Sequence, residues 1–136
     1  MKKKGFTLIE LLVVIAIIGL LATIAVVALS NSRSRARDAR RLADIKQIQT
    51  ALQLYYHEQG GYPTSLGTSI ATGTSVYMAL VPNAPMPNET NCTAAENTYT
   101  YTSATADTYT LTYCIGSKTG DIVAGPATAT PNGLKN

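Results

Sequence analysis

Hydrophobic and polar positions divide the chain into three unlike stretches. From residue 6 to residue 29, 24 positions carry a single charge, Glu10, in a run of Leu, Ile, Val and Ala. At ~1.5 Å per residue, a helix of that length crosses a hydrocarbon core of ~30 Å. The second stretch alternates differently. Ala36, Ala39, Leu42, Ile45, Ile48, Leu52 and Tyr55 recur at steps of three and four among Arg, Asp, Lys and Gln, which predicts one apolar helical face. No proline precedes Pro63, so the membrane run is expected to continue into this amphipathic part as one helix, ending at Gly60 and Gly61.

The third stretch reads as a small β-rich head. Residues 64–97 are rich in Ser, Thr, Gly, Pro and Asn and are expected as loop, with a short helical piece at 76–81 before Pro82, Pro85 and Pro87. Residues 98–102 and 108–113 then alternate Thr with Tyr or Leu. Tyr99, Tyr101, Tyr109, Leu111 and Tyr113 are predicted to face the core of an antiparallel hairpin joined through 104–107. A third short strand is expected at 122–124 and a loose tail from Pro126. The fold class is α+β: a long N-terminal helix, membrane-embedded in its first half, packed against a small antiparallel β-sheet head. The segments expected are 1–5, 6–29, 30–59 and 60–136.

Charge sharpens this division. The formal net charge is +3, and Lys2, Lys3 and Lys4 account for all of it. Arg33, Arg35, Arg37, Arg40, Arg41 and Lys46 crowd one neck with only Asp38 and Asp44 among them, while the region beyond residue 46 is acidic. Glu10 is the outlier. A carboxylate inside a bilayer costs roughly 2.5–3.5 kcal/mol even on a lenient insertion scale, and the run holds no cation for it. An ordinary secretory signal has a 7–15-residue apolar region and a small-residue cleavage site; this run is longer and shows no such site. A plain anchor explains the length but not the acid.

Lys4, Gly5, Phe6, Thr7, Leu8, Ile9, Glu10 and Leu11–Val14 together resemble the start of type IV pilins and type II secretion pseudopilins. The resemblance is close over residues 4–30 and recognisable to about Pro63. It implies a leader of residues 1–5 cut between Gly5 and Phe6 by a prepilin peptidase, which also methylates the new N-terminal Phe6. The apolar helix is kept. The resemblance further implies a homopolymer built with an inner-membrane platform protein and an assembly ATPase, from a subunit held in membrane lipids with its N-terminus cytoplasmic. The finished filament would lie on the cell surface or span the periplasm. The count of Lys and Arg on the two flanks alone would orient the span the other way; the leader's need to meet a cytoplasm-facing peptidase decides against that count. Cutting after Gly5 frees a cationic amine on Phe6, and Glu10 of a neighbouring subunit is its expected partner during assembly.

Within the family two machines fit, a pilus and, as the alternative, the secretion pseudopilus with this chain as its major subunit. The pairing of an Asp44–Leu52 segment with Gly61, Tyr62 and Pro63 resembles the latter. Two departures stand out. A proline common late in the family's membrane segment is replaced by Ala25, Val26, Val27 and Ala28. Asp121 stands alone where major pseudopilins often carry an acid-rich calcium segment. In an exported head, Cys92 and Cys114 are read as one disulfide, the alternative being two free thiols; closure would contribute roughly 3 kcal/mol in the chain-entropy model.

Other chemistry is thin. His57 is the only histidine, at the helix end where an imidazolium suits the dipole. No metal cluster, cofactor motif or catalytic constellation is read, and no phosphate loop surrounds the glycine pairs. Arg33, Arg37, Arg40 and Arg41 fall largely on one helical side and form a candidate patch for nucleic acid or anionic lipid, as in a DNA-uptake filament. Against that stands a solvated neck pairing with acids of neighbouring subunits, which is the favoured reading.

Overall fold

The computed structural model describes residues 5–136; Lys2, Lys3 and Lys4 of the expected leader lie outside the described residues. The chain divides into two compact units, one ending at Arg33 and one formed by Ser34–Asn136. A single helix, α1 (Leu8–Gln59), supplies all of the first unit's regular structure and enters the second. Its membrane-type run has a mean hydropathy of 3.1 and is wholly exposed. The helix ends as the glycine pair predicts. Gly60 takes a left-handed φ of 72°, and its N–H donates to the Tyr56 carbonyl at 2.8 Å.

Two antiparallel sheets follow. The first is a hairpin of β1 (Ile70–Thr72) and β2 (Ser75–Met78), with Gly73 at φ 57° in its turn. The second holds β3 (Thr100–Thr105), β4 (Thr108–Ile115), β5 (Gly125–Thr130) and β6 (Gly133–Lys135) in that spatial order. The expected Tyr/Thr hairpin forms, with Tyr101 paired to Leu111 and Thr100 to Thr112, but Ala104 and Thr105 belong to β3 and the connection narrows to 106–107. Tyr109, Leu111 and Tyr113 are buried, with Tyr99 and Tyr101 packed beside them.

Three expectations are corrected. Residues 76–81 are not helical, because Val76, Tyr77 and Met78 belong to β2. At residues 122–124 only Ile122 pairs, in an isolated bridge with Thr119. The tail is not loose: Pro126, Ala127, Thr128, Ala129 and Thr130 form β5 against β4, and Gly133–Lys135 folds back on β5. Alanine is what makes β5 hard to see. Ala127 and Ala129 are 1% and 0% exposed, so the strand has a buried face, but small side chains on it give little hydrophobic signal.

The core forms where α1 lies on the four-stranded sheet. Ile45, Ile48, Ala51 and Leu52 meet Tyr109, Leu111, Tyr113 and Ile115 of β4 and the two alanines of β5. The predicted helical face holds from Leu42 to Tyr55 and fails before it. Ala36 and Ala39 are exposed, whereas Asp38 and Arg41 are buried. The three-four spacing persists toward the helix's N-terminal side, carried there by charged residues. Polar side chains fasten the edges: Gln49 Nε2 donates to the Thr130 carbonyl at 3.0 Å, and the Tyr101 hydroxyl donates to the Pro63 carbonyl at 2.7 Å. The Cys92–Cys114 disulfide ties the loop before β3 to β4.

Ile48 is fully buried between helix and sheet. Ile48→Ala is expected to destabilise the head by about 2–5 kcal/mol in urea unfolding, while Ala39→Ser, on the exposed side, should stay within about 0.5 kcal/mol of wild type.

Candidate processing and assembly site

Gly5 and Phe6 precede the helix, and Phe6 is 82% exposed. Gly5 is exposed too, and among the described residues a Cβ on it would meet nothing within 4 Å. Thr7 then caps α1. Its backbone N–H donates to Glu10 Oε2 at 2.8 Å, its hydroxyl donates to the same oxygen at 2.7 Å, and the Glu10 N–H donates to Thr7 Oγ1 at 3.3 Å. This is a capping box, in which threonine and glutamate three residues apart satisfy two free donors of the first turn. The acid without a partner therefore has a local one, a neutral one. Both bonds from Thr7 reach Oε2; among the described residues, none reaches Oε1. The pattern Thr-x-x-Glu at 7–10 is a capping signal legible in the sequence itself.

The four arginines do not make one surface patch. Arg33 and Arg40 are exposed, Arg37 is half-buried and Arg41 is 1% exposed. Arg41 Nη1 donates to Asp38 Oδ1 at 3.0 Å and to Glu89 Oε1 at 2.8 Å, and its Nη2 donates to the Pro85 carbonyl at 3.0 Å. Arg37 Nε donates to the same Glu89 oxygen at 3.0 Å. Asp38 accepts from the Gly116 and Ser117 amides and the Ser117 hydroxyl, each at 2.8 Å. Two loops far apart in sequence are thus pinned to one turn of α1. The physical reason for the correction is pairing: the acids that bury Arg37 and Arg41 come partly from residue 89, which helical periodicity cannot see.

The same hub organises the loop that bears Cys92. The Glu89 N–H donates to Asn97 Oδ1 at 2.7 Å, and Asn97 Nδ2 donates back to the Glu89 carbonyl at 3.0 Å and to the Thr93 carbonyl at 3.0 Å. Gly116 is required there, since a Cβ on it would run into the Glu89 carboxylate. Nearby, the Tyr99 hydroxyl donates to Asp44 Oδ2 at 2.9 Å. Burial first, then that hydrogen bond, raises the phenol's pKa and keeps it a neutral donor.

Burial opposes ionisation of Glu89, but hydrogen bonds and charge from Arg41 and Arg37 outweigh it and hold its carboxyl below the usual value. A lowered native pKa gives stability that is complete above the unfolded glutamate value, about 4.3, and lost as pH falls through the native value. Glu89→Gln is expected to cost about 1–3 kcal/mol at neutral pH. The gap to wild type should shrink as pH falls below about 4, measured by urea unfolding across pH.

The comparisons with known proteins bear on part of the chain. Residues 1–26 match the model for the prokaryotic N-terminal methylation motif. The chain is 39% identical over 64 residues to type II secretion system core protein G of Escherichia coli K12, covering 47% of this chain and 44% of that protein. To core protein G of Vibrio cholerae serotype O1 it is 36% identical over 64 residues, 47% of this chain and 44% of that protein. To a fimbrial protein of Neisseria meningitidis serogroup A it is 38% identical over 73 residues, 52% of this chain and 43% of that protein. The chain thus spans less than half the length of these curated relatives, and no solved structure matches it. The chain therefore carries the prokaryotic N-terminal methylation motif and is similar over part of its length both to core protein G and to a fimbrial protein.

Proposed function

We propose that this chain is a structural subunit of a type IV pilus-like filament and performs no catalysis itself. A prepilin peptidase cuts between Gly5 and Phe6 and methylates Phe6. The subunit waits in the inner membrane with its N-terminus cytoplasmic, then joins a homopolymer through residues 6–29 with the help of a platform protein and an assembly ATPase. The observation that carries this reading is the start of α1: a wholly exposed apolar run whose one acid sits on the first turn, just after an exposed Phe6.

The chemistry of assembly follows from the capping box. Thr7 lightens the cost of Glu10 in lipid by donating twice to Oε2, leaving Oε1 to accept from a cation. Processing creates one, the α-amine of Phe6, on each neighbouring copy. In a low-dielectric bundle the pair attracts strongly, and desolvation takes back part of that gain. The precursor lacks the cation and the processed chain has it, so cleavage and competence to polymerise are the same event.

A second reading keeps this chemistry in another machine, as the major pseudopilin of a type II secretion system. The similarity of about half of the chain to several proteins of the core protein G name favours it. A DNA-uptake filament is less well supported, because Arg37 and Arg41 are spent on Glu89 and Asp38 within the head.

Glu10→Leu is expected to leave the subunit cleaved and membrane-inserted while reducing filaments at least about tenfold, the loss of one buried charge pair per contact. Electron microscopy and a membrane-fraction blot read both arms. Filaments of normal number and build from Glu10→Leu would remove the proposed role.

A further inference from the structure

The head leaves one face of α1 uncovered. Arg40, Ala43, Gln47, Thr50, Leu54 and Glu58 follow one another at steps of three and four, and all six are exposed. Leu54, 53% exposed, is apolar without a cover. Lys46, Gln47, Thr50 and Leu54, with Tyr77 and Met78 of β2, line a shallow groove of about 340 Å³ beside this stripe, so a second cation stands next to it on the basic side. The stripe is basic at one end and acidic at the other. Among the described residues, Arg40 enters no ion pair. Glu58 accepts one hydrogen bond, from the Tyr77 hydroxyl to Oε2 at 2.6 Å, and holds no cation. Arg40 and Glu58 are eighteen residues apart, about five full turns at 3.6 residues per turn, so they point the same way.

We propose that this stripe is an interface between copies of the chain, in which Arg40 of one copy pairs with Glu58 of another displaced along the helix axis. The inference rests on the filament reading above and adds a register to it. A face with opposite charges at its two ends is complementary to itself under a screw motion about an axis running in front of it, parallel to α1. Each copy then presents the stripe to that axis, and a rise of about 27 Å brings the acid of one level with the base of another; Phe6 and Glu10 are only about 6 Å apart along the chain axis, so this partner is a copy farther along the filament than the one whose amine meets Glu10. Such a contact is heterologous: every copy offers one Arg40 upward and one Glu58 downward, and the series stays open, as a filament requires. The residues between the charges suit close approach. Ala43 and Thr50 are small, Gln47 is uncharged, and Leu54 gains apolar burial when a neighbour covers it. A wrong register would set like charges together or leave both unpaired, which gives the pair its selectivity.

The test is a charge swap in the full chain within its own assembly system. Arg40→Glu and Glu58→Arg are expected each to cut filament number about tenfold. The double variant, which restores opposite charges, should recover to within about threefold of wild type. Both residues are exposed; the thermal midpoint of the head should be unchanged in Arg40→Glu and fall only slightly, and equally, in the two variants that lose the Tyr77–Glu58 bond, so recovery of filaments in the double variant assigns the losses to the contact rather than to folding. Either single variant assembling like wild type, or a double variant no better than the singles, overturns the register. If Glu10→Leu abolishes filaments while these reversals do nothing, the register is wrong and the filament reading stands; if wild type forms no filament, both fall.

Discussion

Arg41 is a charged side chain at 1% exposure, held by Asp38 on its own helix and by Glu89 from a distant loop. Two of the head's loops, one around Pro85–Glu89 and one at Gly116–Ser117, are fastened by that guanidinium and its acid partners. Removing a buried charge pair from water is costly, and it is tolerable only when nearly every donor and acceptor finds a partner. Here the partners are what fold the loops. Asp38 gathers the turn after β4 through two amides and a hydroxyl. Glu89 and Asn97 gather the segment that carries Cys92. The hydrophobic core holds α1 to the sheet along one half of the face, and the polar hub continues the grip where apolar residues stop.

A small head has reason to be built this way. About eighty residues bury a limited apolar area, and domains of that size commonly add a staple. The disulfide closes the loop from Cys92 to Cys114, and the Arg41 hub does noncovalently for residues 85–97 what the sulfur bond does for one point. The outcome is a helix with two lives. Its later turns are clamped into a folded head, and its earlier turns stay bare, apolar and capped by Thr7 and Glu10.

How much of this could be read from the sequence depended on what carried the signal. The long helix, its glycine stop and the Tyr/Thr hairpin were legible because large apolar side chains at regular spacing mark a buried face. β5 was not, because alanine and threonine alternate there and only contact with β4 reveals Ala127 and Ala129 as core. The hairpin at Ile70–Thr72 and Ser75–Met78 hid in a Ser/Thr/Gly-rich stretch for a similar reason. Arg37 and Arg41 were misassigned to the surface since their partner lies about fifty residues away. Thr7 was the avoidable miss. The same Thr-x-x-Glu device recurs at Thr93 and Glu96, with the Thr93 amide donating to Glu96 Oε2 at 2.7 Å, so the pattern was present twice.

In the function proposed here, processing and assembly meet at the N-terminus of α1, where Glu10 would find its cation in the amine freed by cleavage after Gly5. The most direct measurement of that account is electron microscopy of fibres sheared from cells, with the subunit sequenced by mass spectrometry. The account requires fibres built of this chain, beginning at an N-methylated Phe6 and retaining the Cys92–Cys114 bond. Fibres that lack the chain, or a mature chain that still begins before Phe6 or has lost residues 6–29, would contradict it.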